Sequence, residues 1–356
     1  MKYDAWDREY QENRAAYLDI FDRFMQQSNY ENNEDWEHEF ALRSGRKYCV
    51  SVGSATDALH FALLAHDIGQ GDEVLVTDFS WISSSAVASL VGATPIFCDI
   101  DLDTYHISLD SVKRMYSDKV KAIIYPHLFG SMSDTTELQS FCKEKDILFI
   151  EDSAQSLGSS LNGVKAGTIG DCSVYSFNSN KVIAGINGGG VVLTDNEDIA
   201  NRVKMIRRHG KDKDFSMLGY NSRMYVLNGM IINQRMKNAQ RNQDRRQTVA
   251  KRYNEAFSDL PVTTQHTGNG LNHNFHKYVV RFEDKDTRKR VKNVLKASIH
   301  YETPLSANSM YDSVECRRDA CTASKMAADT VLSLPVHAYL TDEEIEWIIG
   351  LFRNAI

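Results

Sequence analysis

No apolar run in the chain approaches the roughly 20 residues that a helix needs to cross a bilayer. The opening MKYDAWDREY is too polar for a secretory signal, so a cytoplasmic protein with no membrane partner is expected. Basic charge is not in excess: 41 Lys and Arg stand against 48 Asp and Glu, for a net charge of −7. That balance gives no reason to expect nucleic acid or an anionic surface as a partner. The six cysteines (49, 98, 142, 172, 316 and 321) form no CxxC and no Cys/His spacing of a metal site, so no metal is expected. Cys98, Cys142 and Cys172 sit in or beside apolar runs and read as reduced core residues. No GxGxxG follows a first strand, which argues against a Rossmann dehydrogenase. Internal repeats and low-complexity segments are absent as well. What is left is an ordinary globular composition, 42% hydrophobic and 25% charged. Its 356 residues suffice for two domains, or for one large domain with a smaller appendage.

What is present concentrates between Ile147 and Thr194. One apolar run, Ile147 to Ile150, ends on Glu151-Asp152. A second, Val174 to Phe177, leads within four residues to Lys181, and the triplet Gly188 to Gly190 follows. Short apolar runs ending in polar residues suit parallel strands buried on both faces. A carboxylate at one strand end and an amine past another are what Schiff-base chemistry requires. In pyridoxal phosphate (PLP) enzymes the lysine holds the cofactor as an imine and an acid partners the pyridinium nitrogen. The bland reading of each residue stands beside this: lysines are mostly solvated, and an Asp after a strand is commonly a cap.

The rest of the chain repeats the strand-then-polar pattern. Residues 1 to 48 read as helical, with Tyr10, Tyr17, Ile20, Phe21 and Phe24 on one broad face. Strands are expected at Tyr48 to Val52, Glu73 to Val76, Pro95 to Asp99 and Lys121 to Tyr125. Helices are expected at Asp57 to His66, Ser83 to Leu90, Leu109 to Tyr116 and Thr135 to Lys145. Such alternation indicates an α/β domain with a mostly parallel sheet, whose ligands bind at the carboxyl ends of the strands. Ser54, Trp81, His127, Asp152 and Lys181 all fall just past such ends. The turn Gly53-Ser54-Ala55-Thr56 opens a helix, where free amides receive a phosphate; a plain N-cap is the alternative. Further on, Arg235 to Ala256 reads as one long basic helix leading into a smaller domain. Strands at Tyr278 to Phe282 and Ala297 to Tyr301 flank a helix from Asp286 to Lys296. Thr341 caps a last helix, with Glu344 at the capping-box position.

These motifs resemble, in order and in spacing, the DegT/DnrJ/EryC1/StrS family of sugar aminotransferases. The resemblance rests on Ser54-Ala55-Thr56 with Ala58-Leu59-His60, Gly71 to Val74, Trp81 and His127-Leu128-Phe129-Gly130. It continues through Glu151 to Gln155, Ser176 to Lys181, Arg208-His209-Gly210, and Gly219-Tyr220-Asn221 with Arg223. Near the end it includes His300-Tyr301, Leu334-Pro335 and Leu340 to Glu343. Two departures fall on the substrate side. Asn187 stands where the family usually has an acid, and the family's extended apolar-acidic opening strand is missing.

The resemblance implies fold type I: a large PLP-binding domain over residues 1–235 with a helical arm, and a small C-terminal α/β domain over 236–356. It implies that Lys181 carries PLP (or its amine form, PMP) and moves the proton, and that Asp152 keeps the pyridine nitrogen protonated. Gln155 would partner the phenolic oxygen and Trp81 cover one ring face. Ser54, Ala55, Thr56 and Ser176 would hold the phosphate. Asn221 would serve the neighbouring subunit's cofactor, which makes a homodimer the expected assembly. His300, Tyr301 and Ser83 are expected on the substrate side. The implied reaction is two half-transaminations, from L-glutamate to a keto-deoxysugar linked to a nucleotide, at carbon 3 or carbon 4, for glycan or O-antigen sugars. Alternatives are a keto-cyclitol or other carbocycle as acceptor, and a non-enzymatic PLP-binding regulator. A dehydrating branch of the family has histidine in place of the lysine, and Lys181 argues against it.

Overall fold

The computed structural model describes residues 5–26 and 33–356. Helices α1 (Trp6–Gln26) and α2 (Glu34–Ser44) carry the helical expectation for the first 48 residues. The parts of that expectation on 1–4 and 27–32 lie outside the described residues. Of the apolar face read on α1, Ile20 is buried, whereas Tyr10 and Phe21 are exposed.

A βα rhythm follows: β1 (Tyr48–Val52), α3 (Ala55–Ala65), β2 (Glu73–Thr77), α4 (Ser83–Leu90), β3 (Thr94–Cys98), α5 (Leu109–Met115), β4 (Val120–Pro126), α6 (Thr136–Glu144) and β5 (Leu148–Asp152). Two short strands, β6 (Ser160–Leu161) and β7 (Val164–Lys165), precede β8 (Cys172–Ser176), β9 (Gly190–Thr194) and α7 (Glu197–Ile206). The main sheet has eight strands in the order β1-β9-β8-β5-β4-β2-β3-β13, where β13 is Arg317–Arg318. Only β9 runs against its neighbours, pairing antiparallel with β1 and β8. Because helices cover both faces, strands such as β2 and β8 are buried at every position, and the core of β2, Val74 to Val76, reads as a short apolar run.

The single helix expected over Arg235 to Ala256 is broken: Arg235 and Met236 end α8 (Val226–Met236), and after Lys237 and Asn238 the rest forms α9 (Ala239–Phe257). Beyond them lie β10 (Val262–Thr264), β11 (Leu271–Asn272), β12 (Tyr278–Phe282), α10 (Lys285–Leu295), α11 (Thr322–Thr330), β14 (Val331–Leu334) and α12 (Asp342–Ala355). A second sheet, β10-β12-β14, and helices α9, α10 and α12 enclose a separate apolar core around Tyr253, Tyr278 and Phe352. Thr341 and Glu344 close the capping box on α12. The strand expected over Ala297 to Tyr301 does not form. Lys296 turns left-handed at the end of α10, and a single bridge from Ser298 to Ser333 is all the pairing that follows. The backbone then bends into the main-sheet side, where the Leu305 amide donates to Asp78 O at 2.8 Å.

Candidate active site

The carboxyl ends of β1, β2, β5 and β8 open on one cleft of about 340 Å³. Its lining includes Ser54, Ala55, Thr56, Trp81, Ser83, Asp152, Gln155, Ser176, Lys181, His300 and Tyr301. All the residues singled out for cofactor and substrate, except Asn221, are therefore brought together. Asn221 is exposed, its backbone bridged to Arg208.

Alternation along β5 decides which acid of Glu151-Asp152 faces the cleft. Asp152 does, held by Ser84 Oγ at 2.8 Å and by the Ala154 amide at 3.2 Å. Glu151 points the other way into the interior. There it accepts from the amides of Gly167 (2.9 Å), Ile169 (2.6 Å) and Gly170 (2.8 Å), with His127 Nε2 at 2.8 Å. Burial alone would raise the Glu151 pKa; His127 and these amides outweigh it and hold the carboxyl below its usual range. His127 thus belongs to a buried structural pair, and the expectation drawn from its strand-end position is corrected: it does not line the cleft.

Lys181 is half-buried in a loop between β8 and β9. Desolvation brings its amine down to about 8, against the opposing charge of Asp152, so a nucleophilic free amine is accessible near neutral pH. The loop is threaded tightly. A Cβ on Gly190 would lie 2.6 Å from Ala55 N and Ser54 O, so only glycine lets β9 pass the start of α3. Gly189, at φ 110°, abuts Asn228 of α8, whose side chain accepts from Ile186 N at 2.7 Å and donates to Gly188 O at 2.6 Å.

At the other end of the cleft, Ser54 caps α3 by accepting from Asp57 N at 3.1 Å. The cap leaves the first-turn residues Ala55 and Thr56 lining the opening, with the Thr56 and Ser83 hydroxyls 2.7 Å apart. A helix start of this kind favours an anion. Trp81 is 58% exposed, so its indole remains available to cover a ring bound below it. Gln155 is fixed on both sides: its Oε1 accepts from Phe129 N at 2.9 Å and its Nε2 donates to Tyr301 Oη at 3.2 Å. His300 Nδ1 lies 2.8 Å from Ser333 Oγ, and burial, aided by the charges of Lys277 and Lys181, brings the imidazole down to about 3.

Sequence reasoning missed Ser84, His276, Lys277 and Asn228, of which His276 and Lys277 line the cleft. The Ser83-Ser84-Ser85 run was a usable signal for the first. Asn228 carried none, being one amide in a stretch, Val226 to Met236, that offers no motif.

The residues present fit PLP: an amine and a carboxylate face one cleft, and a helix start lies at its end. Fold and site together define a fold type I PLP enzyme. A family model, the DegT/DnrJ/EryC1/StrS aminotransferase family, matches residues 9–353, and the chain belongs to that family. The family's cofactor is PLP, carried in turn as PMP. Among similar proteins, the pleiotropic regulatory protein of Geobacillus stearothermophilus is 29% identical over 96% of this chain and 94% of its own length. The dTDP-3-amino-3,6-dideoxy-alpha-D-galactopyranose transaminase of Aneurinibacillus thermoaerophilus is 30% identical, covering 89% of this chain and 88% of that protein. In structure, NtdA of Bacillus subtilis, solved with bound PMP, superposes with a TM-score of 0.87 at 22% identity, over 97% of this chain and 82% of that one. Among the described residues no helix is long and apolar enough to cross a membrane, and no cluster of three or more His, Cys, Asp or Glu is arranged for a metal.

Proposed function

We propose that this chain is an aminotransferase that moves an amino group from L-glutamate to a nucleotide-linked keto-deoxysugar, at carbon 3 or carbon 4. The observation that carries the reading is the pair Lys181 and Asp152 facing one cleft whose far end is the start of α3. Bound there, PLP supplies an electron sink for the carbon that exchanges its amine. Lys181 would be the nucleophile that holds the cofactor and the base that moves the proton at the reacting carbon. Its amine is lowered to about 8, which keeps a useful fraction unprotonated near neutral pH. Asp152, kept in place by Ser84 and Ala154 N, holds the proton on the ring nitrogen. Ser54, Ala55, Thr56 and Ser176 bind the phosphate, Gln155 orients the phenolic oxygen, and Trp81 excludes water from one ring face. His300, Tyr301 and Ser83 meet the sugar substrate.

The exposed Asn221 fits a homodimer in which it serves the other subunit's cofactor. The separate apolar cores fit a division at 235/236 into a large and a small domain. The six cysteines, all free and five of them buried, fit a reducing cytoplasmic setting. One observation favours a second reading, a PLP-binding regulator: a relative bears a regulatory name. Reconstitution with PLP decides between them. The transaminase reading expects an absorbance near ~420 nm that L-glutamate bleaches and a nucleotide-linked keto sugar restores. A band indifferent to every amino donor and to the whole keto-sugar panel favours the regulator.

A further inference from the structure

The loop that carries Lys181 has no ladder of its own between Lys181 and Gly189. Its inner turn is fixed by backbone bonds, Lys181 N to Asn178 O at 3.0 Å and Gly185 N to Phe177 O at 2.7 Å. The outer turn depends on side chains from α8: Asn228, described above, and Arg235. Arg235 Nη1 donates to Ala184 O at 2.6 Å and Gly185 O at 3.3 Å. The same guanidinium donates to Glu9 of α1 through Nη2 at 3.0 Å and Nε at 3.2 Å. Trp6 covers it at 4.1 Å from ring centre to guanidinium carbon, and Tyr17 Oη accepts from Nε at 3.2 Å. With its side chain 11% exposed, this cation has little water to fall back on, and Glu9 is its only carboxylate partner among the described residues.

We propose that Arg235 is a positioning residue for Lys181, and that Glu9, on the helical arm, is what keeps it in position. This rests on the role given to Lys181 above. A buried guanidinium that loses its carboxylate is left uncompensated and turns toward water. In doing so it releases the carbonyls three and four residues beyond Lys181. The amine then samples a wider range of positions in the cleft, although every cofactor contact is intact.

The molecule supplies its own control. Two other arginine pairs tie α1 to the body without touching the loop: Arg241 with Glu12, at 2.8 Å through Nη2, and Arg8 with Glu344, at 2.6 Å. Arg241→Ala therefore loosens the arm but not the loop.

The test compares Arg235→Ala, Arg235→Lys, Glu9→Gln and Arg241→Ala with the unaltered protein. Amide hydrogen exchange over residues 182–188 is followed in the apoprotein, and PLP affinity and steady-state constants in the loaded enzyme. Arg235→Ala is expected to speed exchange in that loop by about 10-fold or more. It is expected to weaken PLP by roughly 10-fold and to lower kcat by a similar factor, with the donor KM within about 2-fold. Glu9→Gln shifts exchange in the same direction, Arg235→Lys recovers part of the loss, and Arg241→Ala leaves the loop unchanged. Loop exchange in Arg235→Ala equal to that of the unaltered protein overturns the proposal; so does Arg241→Ala reproducing the Arg235→Ala pattern. Should Arg235→Ala not fold, Glu9→Gln, which retains the guanidinium, decides by the same exchange measurement. Failure of the Lys181 assignment would appear as turnover surviving in Lys181→Ala, a separate result from the exchange comparison.

Discussion

Ser84 Oγ donates to Asp152 Oδ2 at 2.8 Å and so ties the helix after β2 to the end of a strand two places away in the sheet. Ser84 is buried, so truncation brings in no water to replace the bond. A hydrogen bond to a charged group contributes about 1.5–3 kcal/mol. Ser84→Ala is expected to cost that much in kcat/KM and to weaken PLP binding, both read by titration and initial rates. Asp152→Asn removes the charge itself and is expected to cost roughly 3 kcal/mol or more of transition-state stabilisation. Unchanged turnover in Asp152→Asn removes that carboxylate from the mechanism.

Lys181 packs little: it is half-buried and lines an open cleft. Lys181→Ala is therefore expected to fold normally, by circular dichroism and thermal melting, while losing all turnover and the ~420 nm absorbance. Near wild-type transamination in this variant sinks the site assignment.

Asn221 is the one residue expected at the cofactor or substrate that a single chain leaves outside the cleft. If it serves a partner's cofactor, a mixture of two inactive variants, Lys181→Ala and Asn221→Ala, contains hybrid dimers with one intact site. Recovery of a fraction of activity on mixing is expected. No recovery after subunit exchange has been demonstrated by mass or label means that each site is built from one chain.

The strands, and hence the cleft, were legible because burial on both faces writes itself into the sequence as short apolar runs such as Ala122 to Tyr125 and Leu148 to Ile150. The direction of individual side chains was not. Whether His127 or Asp152 faces the cleft depends on strand register, which a run of apolar residues does not reveal. β9 was hidden behind Gly188 to Gly190: close passage over the start of α3 demands Gly190, while Gly188 and Gly189 take up positive φ. The break between α8 and α9 falls on Lys237 and Asn238, neither of which stops a helix by itself. Ala297 to Tyr301 has the composition of a strand, but the bend toward Asp78 leaves it one bridge. Long-range contacts settle these points, and a local pattern carries little of them.

Acid should destabilise the protein well before its carboxylates titrate in bulk. His106 and His273 are each 2% exposed, and burial brings both down to about 3. In the unfolded chain a histidine titrates near 6.5. Between these values the unfolded state binds more protons, so stability is full above about pH 6.5 and falls as the pH drops toward 3. At pH 5 each such histidine costs about 2 kcal/mol. Glu151, held below its usual range, adds a loss in the same direction at lower pH. Urea unfolding of the apoprotein at pH 7.5 and 5 is expected to show a clearly lower midpoint at pH 5. Equal midpoints would mean that these histidines take up protons without unfolding.

His300 provides the test of the sugar side. Its imidazole is held neutral, brought down to about 3 by burial with Lys277 and Lys181 nearby, so it contributes a hydrogen bond and no charge. With Nδ1 engaged by Ser333 Oγ at 2.8 Å, Nε2 is the atom left to meet a sugar hydroxyl or a phosphate oxygen. Loss of one such bond typically costs ~1–3 kcal/mol. The alternative is that His300 only packs the turn against β14. The two half-reactions tell these apart when each is followed separately through the cofactor spectrum. In His300→Ala, the half-reaction with the nucleotide-linked keto sugar is expected to slow by about 10-fold or more, while the L-glutamate half-reaction stays within about 2-fold. Equal damage to both would mark a general distortion of the cleft and remove His300 from the substrate pocket.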